Sequence, residues 1–156
     1  MDEIKKFHTV RGYQLLEQNK TQLTSGMEDY LEMIYRHVQG EGYIRINTLS
    51  ELLNVQASSA SKMVQKLNAL GLLHYQKYGI IFLTESGMQI GAFLLSRHHV
   101  VEKFLKLIGV TDSILFETEL IEHTITVDTL QKLDKLNRFF LKNPDIQLKF
   151  EEFIIN

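Results

Sequence analysis

Apolar residues recur along most of this chain at three- and four-residue steps, the spacing that lines one face of an α-helix. Within residues 5–22, Phe7, Val10, Tyr13 and Leu16 follow one another at threes, which predicts an amphipathic helix. Ser25-Gly26 then breaks the run. Residues 27–38 set Met27, Tyr30, Leu31, Ile34, Tyr35 and Val38 on one stripe, the pattern of a buried helix face, and Gly40-Glu41-Gly42 ends it. Asn47 is expected to cap a short helix carrying Leu49, Leu52 and Leu53, which stops near Asn54. After a tight turn a second helix directs Ala60, Met63, Val64 and Leu67 inward, with Gly71 as its stop. The period then shortens: residues 72–76 and 80–83 read as strands around Lys77-Tyr78-Gly79, a hairpin. Thr84 is placed to cap a long helix through Phe93, Leu94, Val100, Val101, Phe104 and Leu105, ended by Gly109. Helices over residues 113–123 and 127–141, and a short one after Pro144, complete the series. Pro144 is the only proline, so little interrupts the helices.

Helix, tight turn, helix and hairpin in that order describe a winged helix-turn-helix with a small β-hairpin wing, within a mainly α fold. In such a unit the second helix of the pair enters the major groove, so its polar face is the candidate reading surface. Ser58, Ser59, Ser61, Lys62 and Lys66 suit phosphate oxygens, and Gln65 or Gln56 can offer a paired donor and acceptor to a base edge. Lys77 and Tyr78 at the hairpin tip would meet the adjacent backbone. The plainer alternative is a solvated polar face on an ordinary bundle, with Ser58 simply a cap; it is the order of the elements that favours DNA.

Composition narrows the field. The 156 residues carry a net charge of -2, which is not the strongly basic balance common among nucleic-acid binders. Its distribution matters more: from residue 47 to 82 Lys62, Lys66 and Lys77 face one acid, Glu51, whereas from Phe93 onward eight bases meet ten acids. Neither a bilayer-length apolar run nor a secretion signal is visible, so the expected address is the cytoplasm, with no membrane partner. The absence of cysteine excludes disulfides, thiolate zinc sites and thiol nucleophiles. Any metal must be held by oxygen and imidazole nitrogen.

Such donors are spaced at helical intervals in three places. Asp29 and Glu32 are three apart, His98 and Glu102 four apart, and Glu119, Glu122 and His123 project from one side of a helix. Each fragment alone is commonly surface decoration, and spacing does not bring the three helices together. His8, His37, His74 and His99 lack an acidic partner at convincing spacing and read as surface or satisfied interior residues. Tyr13, Phe93, Phe104, Phe139 and Phe140 read as core or subunit contacts rather than a cofactor pocket, and no organic cofactor is expected.

The runs SGMEDYLEMIY, ASSASKMVQKL, FLTESG, RHHVVEKFL and IEHTIT resemble the diphtheria-toxin-repressor family, specifically its manganese-responsive branch, the manganese transport regulators. The likeness extends from about Ser25 to Phe140. It implies a homodimeric repressor whose winged-helix heads bind a palindromic operator and shut off manganese uptake genes. It further implies that Asp29, Glu32, His98, Glu119, Glu122 and His123 hold two Mn(II) ions per subunit, with Glu102 supporting from outside the ligand set. Iron-type members carry methionine and cysteine where this chain has Asp29 and Glu119, which favours manganese, a hard ion suited to oxygen-rich sites. The implied domains are an N-terminal extension over 1–24, a DNA-binding head over 25–92 and a helical metal-binding and dimerisation domain over 93–156. The extension is longer than in compact members, the further C-terminal domain of iron-type members is lacking, and Thr124 stands where a second histidine is common. Three alternatives stay open on sequence alone: an iron- or zinc-responsive regulator of the same family, a winged-helix sensor of an organic ligand, and a dinuclear metal hydrolase, since clustered carboxylates and histidines can activate water.

Overall fold

The computed structural model describes the backbone from Asp2 to Ile155 and side chains from Val10 onward, so Phe7 and His8 lie outside the described side chains. Contacts divide the chain into two compact units between Leu95 and Ser96. The first holds helices α1 (Asp2–Gln18), α2 (Ser25–Glu41), α3 (Ile46–Leu52) and α4 (Ala57–Ala69), strands β1 (Ile44–Arg45), β2 (Leu73–Gln76) and β3 (Ile80–Leu83), and the start of α5 (Glu85–Leu107). The second holds the rest of α5 with α6 (Ile114–Glu122), α7 (Val127–Lys142) and α8 (Pro144–Ile155).

In the first unit most of the stripe predicted on α2 is buried: Met27, Tyr30, Leu31, Ile34 and Val38 face inward, and Tyr35 is half-buried. Thr24 caps α2, its Oγ1 accepting from the Met27 amide at 3.3 Å, and Gly42 closes it in the left-handed region at φ 81°. Leu49, Val64, Leu67, Leu72, Ile81 and Ile90 are sealed from solvent and form the centre of this unit. Three sequence expectations need correction. The first predicted helix ends at Gln18 rather than near Gln22, where Asn19 folds back to donate from Nδ2 to the Leu15 carbonyl at 2.8 Å. Asn47 does not cap α3: Arg45 holds that position in extended backbone, and Asn47 sits in the first turn, its carbonyl accepting from Ser50 Oγ at 2.8 Å. The sheet has three strands in the order β1-β3-β2, all antiparallel, because Ile44 and Arg45 pair with Ile81 and Ile80. A two-residue strand leaves no alternation to detect in a sequence.

Between β2 and β3 a 3-10 turn, Lys77–Gly79, carries Tyr78 at φ 63° and Gly79 at φ 71°. Only glycine fits at Gly79, since a Cβ there would stand 2.5 Å from Ile46 Cγ2. At the hairpin's far end Thr84 Oγ1 donates to the Gly71 carbonyl at 2.8 Å and accepts from the Gly87 amide at 3.1 Å.

In the second unit, Thr126 caps α7 by accepting from the Thr129 amide at 3.4 Å. Asn137 of α7 donates from Nδ2 to the Val100 carbonyl of α5 at 3.0 Å, and the rings of Phe140 and Phe150 tie α7 to α8 with centroids 5.5 Å apart. No helix among the described residues is long and apolar enough to cross a membrane.

Candidate functional site

The first unit presents a polar helix face beside a hairpin. On α4, Ala60, Val64 and Leu67 are buried at three- and four-residue spacing, so the opposite face is committed to solvent. Ser58, Ser59, Lys62, Gln65 and Lys66 are exposed there, with Gln56 exposed at the N-cap position. Ser61 differs: it is half-buried, and its Oγ lies 3.2 Å from the Tyr75 hydroxyl on β2. That contact, with Asn68 Oδ1 accepting from the Tyr75 amide at 3.1 Å, fastens α4 to the hairpin. At the tip Lys77 is exposed and Tyr78 is 90% exposed. An aromatic ring so fully in water buries nothing and is available to a partner. Arg45, exposed on β1, adds a surface cation to the first unit that a charge count begun at Asn47 misses; the strand that carries it had no sequence signal.

The predicted metal donors fall on both units. In the first, Asp29 and Glu32 stand on α2, Asp29 exposed and Glu32 buried. Glu32 Oε1 accepts from Arg36 Nη2 at 2.6 Å, one turn on. A charge-assisted bond of that length offsets part of the cost of burying a carboxylate. Arg36 was not singled out in the sequence, although its spacing of four from Glu32 is the signal that would have found it.

In the second unit α5 supplies His98 and α6 supplies Glu119, Glu122 and His123. Glu122 is 1% exposed, and its Oε2 lies 3.0 Å from His98 Nδ1, which is also buried. Its other oxygen is 4.0 Å from His123 Nε2. A carboxylate and an imidazole facing one another in the interior share either a proton or a cation. Their separation is that of an ordinary hydrogen bond and equally that of neighbouring donors on an octahedral ion, about 3.0 Å, so the pair can hold either. Arg97 Nη2 lies 3.4 Å from His123 Nδ1; guanidinium has no acceptor, so in this contact Nδ1 accepts and its lone pair is directed at Arg97. Arg97 too went unnoticed in the sequence, hidden in the Arg97-His98-His99 run. Glu119 is exposed one turn before Glu122.

Glu102 is engaged otherwise. Lys106 Nζ donates to its Oε1 at 2.7 Å, and His99 Nδ1 is 3.9 Å from its Oε2. The Lys106 hydrogen bond holds the Glu102 carboxyl below the usual carboxylate range, partial burial opposing it, and the charges of Lys106, His98 and His99 add to the lowering. His37 and Tyr13 are half-buried, His74 and His99 exposed, and Phe93 is buried.

Comparison with known proteins adds a third line. Residues 22–81 match the family model of the iron dependent repressor N-terminal DNA binding domain, and residues 84–151 that of the iron dependent repressor metal binding and dimerisation domain. The HTH-type transcriptional regulator MntR of Shouchella clausii is 41% identical over 121 residues, 77% of this chain and 85% of the relative. Its counterpart from Lysinibacillus sphaericus is 39% identical over 129 residues, 82% of this chain and 93% of the relative. Among solved structures, the manganese regulator SloR matches with a TM-score of 0.64 and 31% identity, over 72% of this chain and 54% of that one. The IdeR of T. acidophilum matches with a TM-score of 0.61 and 30% identity, over 72% and 53%. The chain therefore spans about half the length of these two solved relatives.

Proposed function

The chain belongs to the iron-dependent repressor family, and from that premise we propose that it is a manganese-dependent DNA-binding transcriptional repressor, active as a homodimer on a palindromic operator. The family's domains bind DNA and metal, so the chain is a regulator rather than an enzyme, and the hydrolase alternative falls. The observation that carries the metal assignment is the buried, sulfur-free pair of His98 and Glu122 in the metal-binding domain. Oxygen-rich donors with imidazole and no thiolate suit manganese better than zinc.

Asp29, Glu32, His98, Glu119, Glu122 and His123 would hold two Mn(II) ions per subunit, with Glu102 in support. Bound manganese would supply the positive charge that offsets these carboxylates. Without it the acids repel one another and leave the heads, residues 25–92, mobile relative to the domain over 93–156. With it, Asp29 and Glu32 of the head share ligand duty with the residues on α5 and α6. Two-fold symmetry requires the two α4 helices to match half-sites about 34 Å apart, so restricting head motion raises operator affinity without adding a DNA contact. At the DNA surface Lys62, Lys66 and Lys77 meet phosphates, with Ser58 and Ser59 alongside, while Ser61 is taken up by Tyr75. Gln65 and Gln56 address base edges, and Tyr78 lies over the neighbouring backbone.

The test is a set of binding titrations on a palindromic duplex selected from a random pool, with Mn(II), Fe(II) or Zn(II), for the wild type and Glu119→Ala. Mn(II) should tighten binding by the wild type, and the exposed Glu119 should be needed for most of that gain. A response confined to Fe(II) or Zn(II) would reassign the metal. Affinity indifferent to every metal would end the proposal.

A further inference from the structure

Helix α1 lies outside both family domains, which match residues 22–81 and 84–151, yet it is built into the first unit. Its contact is with the start of α5, and it is close. Gly12 is buried, and a Cβ there would collide with the Gln89 carbonyl oxygen and stand 2.9 Å from Phe93 Cβ. Only a residue without a side chain lets the two backbones approach this way. Around that point the Tyr13 and Phe93 rings lie 5.7 Å apart and Arg11 Nε donates to Gln89 Oε1 at 3.3 Å. Leu16, at the next turn of α1, is buried, as is Leu23 beyond it.

The opposite face of the same stretch of α5 is gripped just as tightly. A Cβ at Gly87 would collide with the Leu72 carbonyl, and one at Gly91 would stand 2.6 Å from Tyr35 Cβ on α2. Gly87 and Gly91 share one side of α5, while Gln89 and Phe93 share the other. Residues 87–93 are thus clasped between α1 and the rest of the head. Five residues past Phe93 the same helix carries His98.

We propose that α1 is a strap that holds this segment of α5 against the DNA-binding head, and that the metal-dependent gain in operator affinity requires it. The second clause rests on the function proposed above. Without α1 the Phe93 face of α5 would be open to water and gripped from one side only. A ligand-bearing helix free to shift relative to the head passes on less of any restriction imposed at His98, so manganese would bias the reading helix less.

Two variants test this: Gly12→Leu, which wedges the helices apart, and a chain lacking residues 1–18. For each, amide exchange is followed without metal, and affinity for the selected operator is measured with and without Mn(II). The strap predicts exchange about tenfold faster or more at residues 89–93, with α4 amides unchanged. It also predicts a manganese-dependent gain reduced about fivefold or more, with metal-free DNA affinity retained. Tyr13→Phe, which keeps the ring contact, should behave as wild type. The proposal is overturned if α5 exchange is unaltered in both variants, if α4 loses protection equally, or if DNA affinity falls by one factor with and without metal. A wild type with no manganese response would defeat the proposed function instead, leaving the exchange result to judge the strap.

Discussion

Glu102 and Lys106, one turn apart on α5, show how a single hydrogen bond sets a side chain's chemistry. Because the Glu102 carboxyl is held below its ordinary range chiefly by Lys106, the pair contributes stability above the usual carboxylate pKa. That contribution disappears as pH falls through the lowered folded value. Lys106→Met should move the carboxyl midpoint upward, a shift readable by carbon-13 NMR; a midpoint that stays or falls would mean Lys106 is not the cause. On α4, Lys62→Ala with Lys66→Ala should weaken operator binding and reduce the slope of log affinity against log salt by about one for each phosphate left without its lysine. Unchanged slope would remove this face from the interface. Most exposed members of that face were legible in the sequence because helical periodicity separates wet from dry positions. The half-burial of Ser61 was not, since its Tyr75 partner lies on another element 14 residues away.

At the scale of elements the hairpin depends on Gly79, where positive φ and the proximity of Ile46 both exclude a side chain. Gly79→Ala should therefore destabilise the head by about 1 kcal/mol or more, and urea denaturation would show it as a lower midpoint at unchanged slope. Leu67→Ala, in the sealed centre beneath α4, should cost about 2–5 kcal/mol by the same measurement. Long elements were readable from their periodicity, as the buried stripe of α2 illustrates. Short ones were not: β1 exists because β3 offers an open edge at Ile80 and Ile81, a cause that lies far downstream of the strand it creates. The same strand explains Arg45 at the α3 cap, since its extended backbone already has the geometry an N-cap requires.

For the whole molecule, the proposed switch makes DNA and metal affinities reciprocal. Operator DNA should tighten Mn(II) binding by the factor by which Mn(II) tightens DNA, a coupling of order 1–3 kcal/mol. Titration calorimetry of Mn(II) with and without the duplex measures it, and equal metal affinities would refute the coupling. The candidate donors were legible because helical spacing groups Asp29 with Glu32, and Glu119 with Glu122 and His123. What spacing leaves open is which helices meet, and the 24 residues separating His98 from Glu122 hold no local sign that their side chains touch. Thr84 extends this reasoning to the wing. Its lone oxygen rivets the exit of the reading helix, at Gly71, to the opening turn of α5, at Gly87. A displacement of the wing is thereby passed to both helices at once. Valine, equal in shape but mute in hydrogen bonding, would let the wing rock by itself.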